Sequence, residues 1–101
     1  KIHFLMRARA VCVFPGGFGT LDELFEALTL IQTGKIEPIP VLLFGEAWWR
    51  RIVDFEAMAD EGVISPHDLD IFTYVDTAEA AWSAIETFYD RPRERHRTHR
   101  A

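Results

Sequence analysis

The sequence predicts an α/β fold in which a parallel sheet carries helices on both faces. Apolar segments without polar alternation, at residues 10–14 and 41–44, are typical of strands covered on both sides. Segments with helical periodicity follow them, at residues 20–32 and 46–61. This alternation in a chain of 101 residues predicts one small domain, the C-terminal half of a Rossmann-like sheet.

The first predicted elements flank a glycine-rich turn. Residues 1–9 are expected to form the last turns of a helix, and residues 10–14 a buried strand that Pro15 ends. The helix over residues 20–32 is expected to bury one apolar stripe and to stop at Gly34. The stripe residues recur at helical spacing and are Leu21, Leu24, Phe25, Leu28 and Ile31.

The second half of the chain repeats the alternation. After the strand at residues 41–44, the helix over residues 46–61 is predicted to end at Gly62. Trp48 and Trp49 are adjacent in this helix and cannot share one face. We therefore expect one of them in the core and the other at a subunit contact or a pocket rim.

A capped turn, a strand and a helix complete the predicted domain. Ser65 before Pro66 predicts a cap and a short helical turn, and residues 72–75 predict a third strand. Thr77 is predicted to cap a last helix that extends to about Tyr89. The side chains expected to face inward are Ala81, Trp82, Ile85 and Phe88.

The composition is typical of a globular domain. Hydrophobic residues make up 49% and aromatic residues 13% of the sequence, which excludes disorder for most of the chain. The one cysteine, Cys12, lies in an apolar run and predicts a buried, inert thiol in a reducing, cytoplasmic setting. Neither a membrane segment nor a zinc site is expected, because no apolar run reaches ~20 residues and His3 and His67 have no partners at metal-ligand spacing.

Charge is divided unevenly along the chain, whose formal net charge is −5. Residues 1–90 hold 6 basic and 15 acidic side chains, whereas residues 91–101 hold five arginines and one glutamate. This tail has no apolar periodicity and is predicted to be a disordered, solvated terminus, with nucleic-acid contact as the weaker alternative. The domain is accordingly expected to end at residue 90.

The glycine-rich turn predicts a phosphate site. Gly16, Gly17 and Gly19 allow a ligand to approach the backbone, and the next helix directs unpaired N–H groups and its positive dipole end at an anion. The turn lacks the lysine of a P-loop, because Thr20 and Leu21 follow Gly19. It also lacks the usual dinucleotide fingerprint.

Residues 15–23 form the pattern Pro-Gly-Gly-x-Gly-Thr-x-x-Glu, and with this pattern the chain resembles the LOG ("Lonely guy") family. The resemblance continues through residues 24–36 and 41–45 and covers most of residues 1–90. LOG enzymes are cytokinin-activating nucleoside 5′-monophosphate phosphoribohydrolases that were long mislabelled as lysine decarboxylases. The resemblance therefore implies that residues 1–90 are the C-terminal part of a LOG-type nucleotide-binding domain.

The resemblance implies a reaction and its site. The reaction is hydrolysis of the N-glycosidic bond of a purine nucleoside 5′-monophosphate, either AMP or a cytokinin riboside monophosphate, to free base and ribose 5-phosphate. A homodimer without metal or organic cofactor is also implied. Glu23 matches the catalytic glutamate of the family. The expected phosphate-binding residues are Gly16, Gly17, Gly19 and Thr20, and the other expected substrate contacts are Lys1, Pro15 and Phe18.

Three of these residues have alternative interpretations. Thr20 and Glu23 have the spacing of a capping box, in which each side chain accepts the backbone N–H of the other residue. The two roles of Glu23 are compatible, because a carboxylate at the third helical position lies beside the glycine turn and is kept ionised there. Phe18 is equally consistent with stacking on a base and with anchoring the loop.

The arginine that acts with the glutamate in LOG enzymes has no match in this sequence. In the family's register Lys1 matches a lysine that directly follows this arginine, so the arginine would precede the chain. Arg7 and Arg9 are expected to be exposed helix residues. We therefore expect a piece of a longer protein that is inactive by itself, since the upstream phosphate loop of the family is also missing.

The same sequence has two alternative interpretations. A nucleotide- or cofactor-binding protein without hydrolysis is the first alternative, because a fold does not fix an activity. An amino-acid decarboxylase is disfavoured, because no lysine has a setting that suggests a pyridoxal Schiff base. Release of adenine from AMP distinguishes the hydrolase from the binding protein.

Overall fold

A computed structural model describes residues 9–90, so the predicted N-terminal helix, Lys1, Arg7 and the arginine-rich tail lie outside the described residues. Three parallel strands form a sheet in the order β1-β2-β3. They are β1 (Val11–Val13), β2 (Val41–Phe44) and β3 (Phe72–Val75). The predicted α/β fold, a partial Rossmann-like sheet with flanking helices, is confirmed.

Four α-helices and one 3₁₀ helix accompany the strands in the described part of the chain. The α-helices are α1 (Phe18–Gln32), α2 (Glu46–Ile52), α3 (Phe55–Asp60) and α4 (Ala78–Asp90), and the 3₁₀ helix is Pro66–Asp70. β2 is the central strand, because Val41 lies opposite Val11 on one side and Phe72 on the other.

The single helix predicted over residues 46–61 is wrong, since α2 and α3 are separate. Val53 has extended backbone angles, φ −130° and ψ 122°, and ends α2. The carboxylate of Asp54 then accepts the backbone N–H of Ala57 at 2.9 Å and caps α3. A local side-chain cap of this kind competes with continuation of the preceding helix.

Four other boundary signals acted as predicted. Gly34 and Gly62 have φ values of 76° and 82° and follow the ends of α1 and α3. Ser65 forms a capping box at the start of the 3₁₀ helix. The hydroxyl of Thr77 accepts the backbone N–H of Ala80 at 3.0 Å and caps α4.

Helices pack on both faces of the sheet. On one face α1, α2 and α3 contribute to a core whose buried members are Val13, Leu24, Val41, Leu43, Trp49, Phe55 and Phe72. On the other face Ala81 of α4 packs with Leu42 and Val75. Trp49 is thus the tryptophan in the core, with none of its surface exposed.

Four side chains predicted to be buried are exposed, namely Cys12, Phe14, Phe25 and Trp82. Cys12 is exposed because α4 packs on Leu42 and Val75, at the other two strands, rather than on β1. Trp82 is 62% exposed, because α4 turns Ala81 toward the sheet and the next residue lies about 100° further round the helix. Helical spacing alone did not predict which strands the helix covers.

Candidate functional site at the carboxyl edge of the sheet

The three strands end at one edge of the sheet, because they are parallel. β1 leads into the glycine turn at residues 14–17, β2 leads into Gly45, and β3 leads into Asp76. In open α/β sheets ligands bind outside the carboxyl ends of the strands. This edge is therefore the candidate site.

Direct contacts join the turns at this edge. The backbone N–H of Gly45 donates to the carbonyl oxygen of Val75 at 2.9 Å, and that of Glu46 donates to the Asp76 carboxylate at 3.1 Å. Gly45 has a φ of 91°, which favours glycine. A Cβ atom there would lie 3.5 Å from Cγ of Pro15, so the glycine turn packs against the turn after β2.

α1 begins within the glycine turn. Gly17 is its N-cap residue, and the carbonyl oxygen of Gly17 accepts the backbone N–H of Leu21 at 3.0 Å. Within residues 9–90, no side chain caps this helix end, and no acidic residue lies in its first turn. Backbone N–H groups at such an end are available to an anion. The structure thus brings the predicted phosphate-binding residues together, namely Gly16, Gly17, Gly19 and Thr20.

The predicted capping box of Thr20 and Glu23 is wrong. The N-cap is Gly17, three residues before Thr20, so Thr20 is the third residue of the helix. Gly17 at the N-cap has no side chain that could accept a helix N–H. Glu23 therefore lies at the sixth helical position rather than the third.

The three glycines at and after the turn differ in their surroundings. A Cβ atom on Gly16 would lie 2.2 Å from Oγ1 and 2.9 Å from Cβ of Thr20, so Gly16 provides space for that side chain. A Cβ on Gly17 or Gly19 would meet no atom within 4 Å. Gly16 is therefore required by the protein's own packing, whereas Gly17 and Gly19 leave room beside the backbone.

Replacing Gly16 with alanine is expected to lower the free energy of unfolding by about 1–3 kcal/mol, because the new methyl group overlaps Thr20. Gly19→Ala is the matched control, and it should be neutral or slightly stabilising, since alanine favours the helix. Urea denaturation of both variants measures the difference. Equal stability of the two variants would contradict the close contact between Gly16 and Thr20.

Glu23 lies on the side of α1 that carries the turn residues. Thr20 and Gly19 precede it by three and four positions, and such positions share one helix face. Side chains on a helix tilt toward its N-terminus, which here is the glycine turn. Glu23 is exposed and, like Asp22 and Glu26, takes part in at least one interaction. Glu23 thus lies beside the anion-binding end of α1.

Phe14 and Phe44, which sequence reasoning did not single out, form a stacked pair at this edge. Their ring centroids are 4.4 Å apart and the rings are 17° from parallel. The available signal was positional, because Phe14 directly precedes Pro15 and Phe44 directly precedes Gly45. Phe18 is 92% exposed, so its predicted alternative role as a loop anchor is wrong.

A charged cluster lies beside the edge, on α2. The Nε of Arg50 donates to the Glu46 carboxylate at 2.7 Å, and this hydrogen bond raises the pKa of Arg50. The guanidinium lies 4.5 Å from the centroid of the Tyr74 ring. Burial raises the pKa of Tyr74, while the positive charge of Arg50 opposes that rise. The cluster attaches the first turn of α2 to β3.

A cleft of about 780 Å³ lies away from the motif. Its lining includes Pro40 and Ile71, which precede β2 and β3, and Phe88 near the end of α4. It is therefore at the amino edge of the sheet.

Within residues 9–90 no three His, Cys, Asp or Glu side chains are grouped to bind a metal ion. The helices of the same residues are too short or too polar to cross a lipid bilayer.

Comparison with known proteins identifies the family. The chain is 32% identical over 89 residues to the cytokinin riboside 5′-monophosphate phosphoribohydrolase LOG3 of Arabidopsis thaliana. It is 40% identical over 68 residues to the enzyme of the same description, LOG7, from that plant. A family model described as "Possible lysine decarboxylase" matches residues 1–85. The chain belongs to the LOG family.

This LOG-family chain matches only part of its relatives. The alignment with LOG3 covers 87% of this chain but 41% of the plant protein. The alignment with LOG7 covers 65% of this chain and 31% of that protein. The alignment with the probable phosphoribohydrolase LOGL3 of Oryza sativa subsp. japonica, at 32% identity, covers 87% and 42%.

Arg9, the described arginine nearest in sequence to the glycine turn of this LOG-family chain, is not placed at that turn. Arg9 lies before β1, with its guanidinium 5.1 Å from the Tyr89 ring centroid, and its carbonyl oxygen accepts the Tyr89 hydroxyl. It is therefore at the amino end of the strand, with β1 between it and the turn. Arg9 is exposed, as predicted, but it lies in a bend and not in the predicted helix. Lys1 and Arg7 remain predictions.

Proposed function

We propose that these residues are the C-terminal part of a longer protein, called the whole protein below, that hydrolyses purine nucleoside 5′-monophosphates. The substrate is AMP or a cytokinin riboside monophosphate, and the products are the free base and ribose 5-phosphate. Residues 1–90 belong to its nucleotide-binding domain. The names of the relatives and the glycine-built start of α1 support this proposal.

The glycine turn holds the 5′-phosphate. Backbone N–H groups from the first turn of α1 donate to the phosphate oxygens, and the helix dipole favours their negative charge. Gly17 and Gly19 admit the phosphate because no atom lies where a Cβ would extend. Gly16 and Thr20 complete the group of phosphate-binding residues, and their mutual packing fixes the turn.

Glu23 acts at the sugar. As the bond between C1′ and the base breaks, the ribose develops oxocarbenium character. The Glu23 carboxylate stabilises this cation or accepts a proton from the attacking water, and the departing base takes up a proton. Its helix face, shared with Thr20, supports this role. Lys1, Pro15 and Phe18 make further contacts with the substrate.

One observation carries the proposal: the N-terminus of α1 has no side-chain cap, is built of glycines, and has Glu23 on the adjoining helix face. A helix start with only a structural role would be stabilised by a capping side chain such as Ser, Thr, Asp or Asn at the N-cap position. The chain has Gly17 there instead.

Incubation of the whole protein with AMP tests the activity. We expect stoichiometric adenine and ribose 5-phosphate, and no adenine from the 101-residue chain alone. If AMP binds but no adenine forms even at high enzyme concentration, the hydrolase proposal is wrong and the nucleotide-binding alternative stands. Activity of the isolated chain would contradict the assignment of an essential arginine before Lys1.

The assembly and setting of the whole protein are part of the proposal. It is a cytoplasmic homodimer that needs neither metal nor organic cofactor, and nucleic acid is not its partner. Light scattering should give twice the monomer mass. Dialysis against a chelator should leave the rate of adenine release unchanged.

A further inference from the structure

The stacked rings of Phe14 and Phe44 form an aromatic surface of fixed orientation at the carboxyl edge. Phe44 is half-buried and packs against the cluster of Leu42, Val75 and Ala81, which holds its ring in place. Phe14 lies against it at 4.4 Å and remains 58% exposed. Because one face of Phe14 is occupied by Phe44, the exposed area is at its outer face and edge.

Both rings of this surface lie next to the glycine turn. Phe14 is followed directly by Pro15 and Gly16, so its Cα lies within about 7 Å of the Cα of Gly16. Phe44 is followed by Gly45, which packs on Pro15. A phosphate on the turn and a flat group on Phe14 would thus be separated by a short spacer. In a nucleoside monophosphate that spacer is the ribose.

We infer that the exposed face of Phe14 is the surface on which the purine base of the substrate stacks. This inference rests on the proposed function and adds a substrate-binding residue to it. Aromatic side chains stack on any base, because every base has a π face. Phe14 suits this role better than Phe18, since Phe44 fixes its ring whereas the ring of Phe18 is 92% exposed.

The test compares ligands with and without a base in the whole protein. Phe14→Leu removes the ring and keeps an apolar side chain, and it should weaken AMP binding by about ten-fold. Binding of ribose 5-phosphate, which has no base, should stay within about two-fold. Phe14→Tyr keeps an aromatic ring at this position and should bind AMP with an affinity close to that of the wild type. All these variants are made in a Glu23→Gln background, in which AMP is not turned over, and calorimetry measures both dissociation constants.

Phe25→Leu is the matched control. Phe25 is 37% exposed and contacts another ring, Phe55, at 6.3 Å, but it lies two turns along α1 from the glycines. It should leave both affinities unchanged. If Phe14→Leu does not fold, Phe14→Met serves the same comparison.

The outcomes separate this inference from the proposed function. If Phe14→Leu weakens AMP and ribose 5-phosphate equally, Phe14 only positions the turn and the inference is wrong. It is also wrong if neither affinity changes. If the protein binds AMP without hydrolysing it, the proposed activity is wrong, and selective loss of AMP affinity in Phe14→Leu would still support stacking.

Discussion

Glu23→Gln in the whole protein is expected to lower kcat for AMP hydrolysis by roughly 10²–10⁴-fold, because a neutral amide neither accepts a proton nor stabilises a developing cation. AMP binding should change little, since the phosphate is held by the backbone at the start of α1. Adenine release measures kcat, and calorimetry on the inactive variant measures the dissociation constant.

Asp22→Asn is the matched control for Glu23→Gln. Asp22 is the neighbouring carboxylate, but it points about 100° away round α1. It should keep kcat within a few-fold of the wild type. A Glu23→Gln variant with near wild-type kcat would remove Glu23 from the reaction. Equal losses in both variants would indicate a general effect of negative charge near the turn.

Trp49→Ala is expected to lower the free energy of unfolding by about 3–5 kcal/mol, through lost burial and the cavity that remains. Its side chain has no exposed surface and lies in the core between the sheet, α1 and α3. The total free energy of unfolding of a small domain is about 5–15 kcal/mol, so this variant should be close to unfolding. Urea denaturation of the whole protein measures the loss.

Two variants test the origin of that loss. Trp48→Ala removes an adjacent, half-buried ring, whose centroid is 4.8 Å from that of Trp49. It should lower the free energy of unfolding by less than Trp49→Ala does. Trp49→Phe should also cost less than Trp49→Ala, because it keeps most of the ring. The indole N–H that it removes is buried and has no hydrogen-bond partner within residues 9–90. A larger loss for Trp48→Ala would contradict the assignment of Trp49 to the core.

Local signals predicted much of the fold. The strands at residues 41–44 and 72–75 have the predicted bounds, because short apolar runs flanked by turn residues leave little choice. Gly34, Gly62, Ser65 and Thr77 mark helix boundaries through their own backbone or side-chain chemistry. The start of α1 was missed because glycine at the N-cap leaves no side-chain signal.

Features that depend on tertiary contacts could not be predicted in this way. The exposure of Cys12 depends on where α4 crosses the sheet, and the stack of Phe14 on Phe44 depends on the alignment of β1 with β2. Sequence spacing places Glu23 near the glycines, but its helix face was known only once the helix start was fixed. The motif could thus be recognised from the sequence, whereas the tertiary contacts around it could not be predicted.

The bond from Glu46 N–H to the Asp76 carboxylate has a consequence for engineering. Gly45 carries no side-chain cap for α2, so a residue from the end of β3 caps that helix from 30 positions away. Pro15 in turn rests on Gly45. The glycine motif therefore takes its position from all three strand ends. Grafted onto another protein as one strand and one helix, it should lose its shape unless Gly45 and Asp76 are transferred with it.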